Sequence, residues 1–191
     1  MDADGLTFAC ATTAEARVAK RAGLPTARVG IRAVNGVPPG RVVSFGLAGA
    51  LHDGLRVGDV LDATRVVDER GETLWQGDPL GIEGARDATV LASHDLVHDA
   101  DERRRLHETS GADAVDMESG VLARSGRLAG VVRVISDDVE SSIEGVDTTI
   151  HPDGSTDVVG LLRWVATRRG DALRSMKDAV AALRALERSV A

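Results

Sequence analysis

Ala112-Asp113-Ala114-Val115-Asp116-Met117-Glu118-Ser119, followed by Gly130-Val131-Val132-Arg133-Val134-Ile135-Ser136-Asp137, decides how this chain folds. The runs from Ala112 to Asp116 and from Gly130 to Ser136 are short and apolar and read as buried strands. Between them, Glu118 to Arg127 reads as a helix, which makes a strand–helix–strand unit. The alternation continues outward in both directions. Leu6 to Ala11 reads as a buried strand, and Thr12/Thr13 open a helix through Arg21 that Gly23 and Pro25 end. Ala27 to Ala33 alternates as a strand, and Arg41 to Phe45 is a buried strand running into Gly46-Leu47-Ala48-Gly49-Ala50. Val60 to Val67, Thr73 to Trp75 and Thr89 to Ser93 add strands, Asp101 to Thr109 a charged helix, and Asp157 onward a helical tail. The pattern predicts one α/β domain over residues 1–191, of three-layer type, with a mixed, mainly parallel central sheet. It leaves open a closed or strongly curved sheet.

Composition excludes several classes. The formal net charge is -7, which argues against a nucleic-acid backbone as partner, because that calls for clustered Lys and Arg. Arg103-Arg104-Arg105 and Arg168-Arg169 are short and read as solvated helix faces. No run reaches the roughly 18 apolar residues of a membrane span. Cys10 is the only cysteine, so no internal disulfide forms, and the cytoplasm is the expected compartment. Two Phe, two Trp and no Tyr leave the core to aliphatic residues and leave a site few stacking platforms.

In parallel sheets ligands gather at the carboxyl ends of strands. Four features fall there: Ala11 to Glu15, Gly46 to Gly49, Asp116-Met117-Glu118, and Ser136-Asp137. Three of the four carry a carboxylate, the equipment for splitting a glycosidic bond through a cation-like sugar. Each also has a plainer reading. Thr12-x-x-Glu15 is a capping box, Asp116 an N-cap, Glu118 a first-turn acid suited to the helix dipole, and Asp137 a solvated loop acid. Gly46-x-x-Gly49 is explained as well by a tight strand-to-helix turn as by nucleotide binding. His94 and His98 are four apart, but lacking further matched ligands they read as surface histidines, and neither metal nor cofactor is expected.

Together these residues resemble the purine nucleoside phosphorylase and nucleosidase superfamily. The carriers are Glu15, then Phe45-Gly46-Leu47-Ala48-Gly49-Ala50-Leu51 with Val57-Gly58-Asp59-Val60, then Asp116-Met117-Glu118-Ser119 and Ser136-Asp137. More narrowly the chain looks like methylthioadenosine/S-adenosylhomocysteine nucleosidases and their hopanoid-associated relatives. The resemblance implies a phosphorylase/hydrolase-like fold and a purine nucleoside substrate. It implies that Asp137 donates a proton or hydrogen bond to N7 of the base, protonated near neutral pH, while a charged Glu118 holds the ribose hydroxyls. It implies that Glu15 orients or activates the attacking water and that Met117 packs under the sugar. Asp116, Ser136, Ala48, Gly49 and Val97 complete the expected substrate contacts, and a homodimer or higher homo-oligomer is expected. Three departures stand out. The stretch between Glu15 and Phe45 is short, so the fold is shortened near the N-terminus. Ser44-Phe45-Gly46 lacks the arginine of the phosphorylases, which favours water over phosphate as nucleophile. Val97 stands where an aromatic would stack on the base. A phosphate-dependent phosphorylase and a catalytically silent nucleoside-binding member are the alternatives.

Overall fold

The computed structural model describes residues 5–140, 151–155 and 169–189, with side chains of the last segment described from Lys177. The longest strands carry the site. In chain order come β1 (Leu6–Cys10), α1 (Thr13–Arg21), β2 (Thr26–Arg28), a 3-10 turn (Ile31–Ala33), β3 (Arg41–Ala50), β4 (Val60–Val67), β5 (Thr73–Gln76) and β6 (Arg86–Ala92). Then follow α2 (Ala100–Ser110), β7 (Ala114–Asp116), α3 (Ser119–Arg124), β8 (Leu128–Asp137) and α4 (Arg169–Arg188). The part of the expected helical tail at 157–168 lies outside the described residues.

All eight strands join one mixed sheet, in which parallel pairings predominate. The order β2-β1-β3-β7-β6-β4-β5 is closed on itself by β8, which pairs β3 in parallel and β4 antiparallel. Five strands therefore form a ring, with β1–β2 and β5 as wings. Closure removes edges from the strands at the site. On one side α1 and α4 cover the sheet, burying Phe8, Val43, Phe45 and Val132 with Ala182, Ala185 and Leu186. On the other, α3 brings Leu122 and Ala123 against Ala63, Val66 and Val90. The layers are thus built from small aliphatic residues, each large one contributing about 1.5–3 kcal/mol when fully buried. Phe8 and Phe45 meet edge to face at 5.6 Å.

Two local readings change. The alternation of residues 27–33 ends early: after β2 the chain turns at Gly30, and Arg32 and Ala33 take left-handed φ of 54° and 53°. Gly46 to Gly49 is not a strand-to-helix turn, because β3 runs unbroken to Ala50. Its glycines serve side chains instead of bends. A Cβ on Gly46 would lie 2.3 Å from Glu15 Oε1, and one on Gly49 would lie 2.8 Å from Asp137 Oδ2. Between α1 and β3 lie only β2 and the 3-10 turn.

Candidate active site

A cleft of about 630 Å³ opens where the carboxyl ends of β3, β7 and β8 meet the loops before α2 and after β2. Register puts the key positions side by side: Ala48 faces Ile135 and Gly49 faces Asp137 across β3–β8, while Gly49 faces Val115 across β3–β7. Asp137, Glu118, Met117, Asp116, Ser136, Ala48, Gly49 and Val97 all line this one cleft. Glu15 is absent from the lining. Its Oε2 accepts from the Thr12 amide (2.7 Å) and hydroxyl (2.9 Å), and its Oε1 accepts from the Leu47 amide (2.9 Å). The capping box is real, and the same carboxylate ties α1 to β3 behind the cleft wall.

At one end of the cleft a buried arginine organises the carboxylates. Arg133 donates through Nε to Asp116 (2.6 Å) and through Nη2 to the Ser44 hydroxyl (2.6 Å), and pairs again with Asp116 through Nη2. Glu118 Oε2 is 3.8 Å from the same nitrogen, and Glu118 Oε1 accepts the Arg32 amide at 3.1 Å. That amide is delivered by the left-handed Arg32, whose strained backbone costs of order 1–3 kcal/mol. Asp116 also accepts the Ser119 amide, the first of α3, at 3.1 Å, although the N-cap position expected of it falls to Glu118. Burial works against the Arg133 charge, but Asp116, Glu118 and Glu15 outweigh it and hold the guanidinium above its ordinary value. Burial pushes Glu118 up to about 8 against the pull of Arg133, with Asp116 and Glu15 adding to the rise. Burial thus opposes the charge expected on Glu118, and Arg133 is what favours it.

The other end centres on Asp137. Its Oδ1 accepts the Ser136 hydroxyl at 2.6 Å, and its Oδ2 pairs with Arg103 Nη2 at 2.5 Å. Asp137, expected as a half-buried acid at a strand end, is held in a buried ion pair. Arg103, fully buried, spends its remaining donors on main-chain carbonyls: Val97 (3.1 and 2.9 Å), Asp138 (2.8 Å) and Ala50 (3.4 Å). Arg103 was read as part of a solvated charge run. The apolar Leu106, three residues on and buried beside it, was the available signal of an inward face.

His98 also lines the cleft, with its Nδ1 buried and without a partner, whereas His94 is exposed. Among the described residues, His52, His107 and Asp113 could bring ligand atoms within 4.8 Å. Each of these histidines also has a main-chain partner. His107 Nδ1 donates to the Ala112 carbonyl (2.7 Å), and His52 Nδ1 accepts the Gly54 amide (2.9 Å). His52 Nε2 thereby carries its proton, facing Asp113 at 3.3 Å but poorly aligned. None of the three lines the cleft. No described helix is long and apolar enough to cross a membrane.

A scan against protein-family models finds no match, and a search of curated proteins finds none. Solved structures do match. A 5′-methylthioadenosine/S-adenosylhomocysteine nucleosidase from Helicobacter pylori aligns over 97% of both chains at 16% identity, TM-score 0.57. The enzyme of that name from S. pneumoniae aligns over 95% of this chain and 99% of its own at 14% identity, TM-score 0.57. Futalosine hydrolase from Helicobacter pylori aligns over 92% and 96% at 15% identity, TM-score 0.54. The chain therefore has the fold of these nucleoside-cleaving enzymes, which is the fold the strand-end motifs had suggested.

Proposed function

We propose that this chain, as one domain, hydrolyses the N-glycosidic bond of an adenosine-type nucleoside and releases the base. One observation carries the reading: Glu118, beside Arg133, and Asp137, beside Arg103, line the same cleft. Names of proteins sharing the fold, methylthioadenosine/S-adenosylhomocysteine nucleosidase among them, support the substrate class. In this reading the sugar lies on Met117 with its hydroxyls toward Glu118, and the base lies toward Asp137. Water adds to the anomeric carbon as the bond to the base nitrogen breaks. The bonding pair leaves with the base, which takes up a proton from solvent on the Asp137 side, and the attacking water surrenders one of its protons to a carboxylate. Negative charge at Glu118, Asp116 and Glu15 favours the positive charge that develops on the sugar. Glu15 acts from behind the wall, through the Leu47 amide and the field it adds, rather than by touching water.

Water is the preferred nucleophile because the cleft offers phosphate little. Arg103 is saturated, and Arg32 pairs with Asp95 at 3.6 Å. The test is base release from a panel of purine nucleosides, with and without phosphate. Phosphate-independent release of adenine is expected. Strict dependence on phosphate moves the reading to a phosphorylase, and no release from any nucleoside overturns it in favour of a silent binder. Val34, 57% exposed where the cleft meets solvent, fits a homo-oligomer that covers this rim. Light scattering showing a monomer at assay concentration would count against that association. Burial pushes the Cys10 thiol up, so it is an inert core residue that fits a cytoplasmic setting.

A further inference from the structure

We infer that His52, His107 and Asp113 hold a divalent transition-metal ion of the zinc class. The inference stands apart from the nucleoside reading, because none of the three residues lines the cleft. Its first support is convergence from three separate elements. His52 lies just past the end of β3, His107 sits in the last turn of α2, and Asp113 immediately precedes β7. Each offers one ligand atom, and these atoms all lie within 4.8 Å of one another. The two imidazole rings stand 4.6 Å apart, tilted by 37°. Two imidazoles and a carboxylate suit zinc and its neighbours, whereas magnesium and calcium take oxygen ligands.

The second support is how two of the groups are held. His107 Nδ1 donates to the Ala112 carbonyl at 2.7 Å, which leaves Nε2 as a lone pair. Asp113 Oδ2 accepts the Thr89 amide at 2.8 Å, which leaves Oδ1 to face His52. Partners of this sort fix the tautomer and orientation of metal ligands. The third support is an unmatched polar atom. His52 Nε2 is buried and has no hydrogen-bond partner among the described residues, although Asp113 Oδ1 lies 3.3 Å away. Buried polar atoms are rarely left so, and an ion between nitrogen and carboxylate satisfies both. That spacing already matches a tetrahedral zinc site, where bonds of about 2.0–2.1 Å put neighbouring donors about 3.3 Å apart. Binding moves the His52 proton from Nε2 to Nδ1, and the Gly54 amide that Nδ1 accepts in the free chain turns to solvent. Asp53 and Gly54 are exposed, so the exchange gives up a single exposed hydrogen bond. Water takes the fourth position. The ion ties the end of β3 and the start of β7 to α2, the helix that carries Arg103, so it acts on stability.

The test is calorimetric titration of zinc chloride into the full chain, free of any affinity tag, and into His52→Ala, His107→Ala, Asp113→Asn and His94→Ala. The parent is expected to take up about one ion per chain. His52→Ala, His107→Ala and Asp113→Asn should each weaken zinc binding at least about tenfold. His94→Ala, which removes an exposed histidine outside the cluster, should stay within about twofold of the parent. Thermal melts give a second readout. At about a hundred times the dissociation constant, zinc should raise the parent's melting temperature by roughly five degrees or more and leave His107→Ala unmoved. Melts without zinc separate a misfolded variant from one that has lost a ligand. No saturable zinc binding by the parent overturns the inference. Binding that survives His107→Ala, or that disappears with His94→Ala, overturns it too. Magnesium chloride binding as tightly as zinc would overturn the assignment to imidazole ligands.

Discussion

Two buried arginines serve the two ends of one cleft, and they do so in opposite ways. Arg133 sits among Asp116, Glu118 and Glu15, so its single positive charge leaves that end negative. Arg103 meets one carboxylate, Asp137, and four of its five donors go to carbonyls, so that end is close to neutral. The two carboxylates of the cleft therefore stand in different electrostatic surroundings: a negative cluster suits a sugar that becomes cationic, and a balanced pair suits a base that leaves with the bonding electrons. Removing either arginine strands buried carboxylates, and neutralising Asp137 strands the buried Arg103, each at about 3–5 kcal/mol, so a melting curve accompanies every rate measured below.

The largest effect is expected at the base end. Asp137→Asn keeps the shape but removes the carboxylate that meets Arg103 and lines the cleft, and base release should fall about 10²–10⁴-fold in kcat with a smaller change in KM. Turnover within about tenfold of the parent would break the assignment of Asp137 to the leaving group. At the sugar end, Glu118→Gln should cost about 10²–10³-fold in kcat/KM. Its pH dependence sharpens the contrast. With Glu118 pushed up to about 8 in the free protein, kcat/KM should climb as pH rises toward and through that value. The climb should vanish in Glu118→Gln but survive in any Asp137 variant with residual turnover. A flat profile in the parent would show that the charged form of Glu118 is not required.

The same two ends mark how far the sequence could be read. The strands around Asp116-Met117-Glu118 and Ser136-Asp137 were legible because short apolar runs and a polar stop at each carboxyl end are local signals. What joins them was not. Arg133 looks like an ordinary strand residue, and only the β3–β8 register reveals that it points at Ser44 and Asp116. Arg103 was hidden in a run of three arginines, of which Arg104 and Arg105 do face solvent. Glu15 carried two readings, cap and catalyst, and the structure makes the cap a certainty while removing it from the cleft lining. The glycines of β3 resembled a turn because their purpose, room for Glu15 and Asp137, depends on residues distant in the chain. Ring closure by β8 depends on pairing with β4, which no local pattern encodes.

Smaller effects concern stability. Gly46→Ala drives a methyl against the Glu15 carboxylate and should cost about 1–3 kcal/mol, read by denaturant unfolding. A neutral result would mean that Glu15 moves freely and that its link to Leu47 is dispensable. Glu118 adds a pH signature. Its raised pKa means that, between its ordinary 4.5 and about 8, the folded chain keeps a proton the unfolded chain has lost. Stability should therefore fall as pH rises through that window, and Glu118→Gln should flatten the fall. An identical slope in the variant would place the proton elsewhere in the Arg133 cluster.

Thr12→Ala should have the smallest effect, and it asks whether Glu15 belongs with the negative end of the cleft in function as well as in field. The substitution deletes the hydroxyl that accepts from the Glu15 amide at 3.3 Å and donates to Glu15 Oε2 at 2.9 Å. Loss of such an N-cap costs about 0.5–2 kcal/mol. The Leu47 amide still holds Oε1, so the carboxylate should stay behind the wall and turnover should change less than about threefold. If turnover instead drops as far as in Glu118→Gln while the melting temperature moves only a few degrees, Glu15 acts on the reaction directly. The hydrogen bond from the Thr12 hydroxyl to Oε2 would then be what aims it.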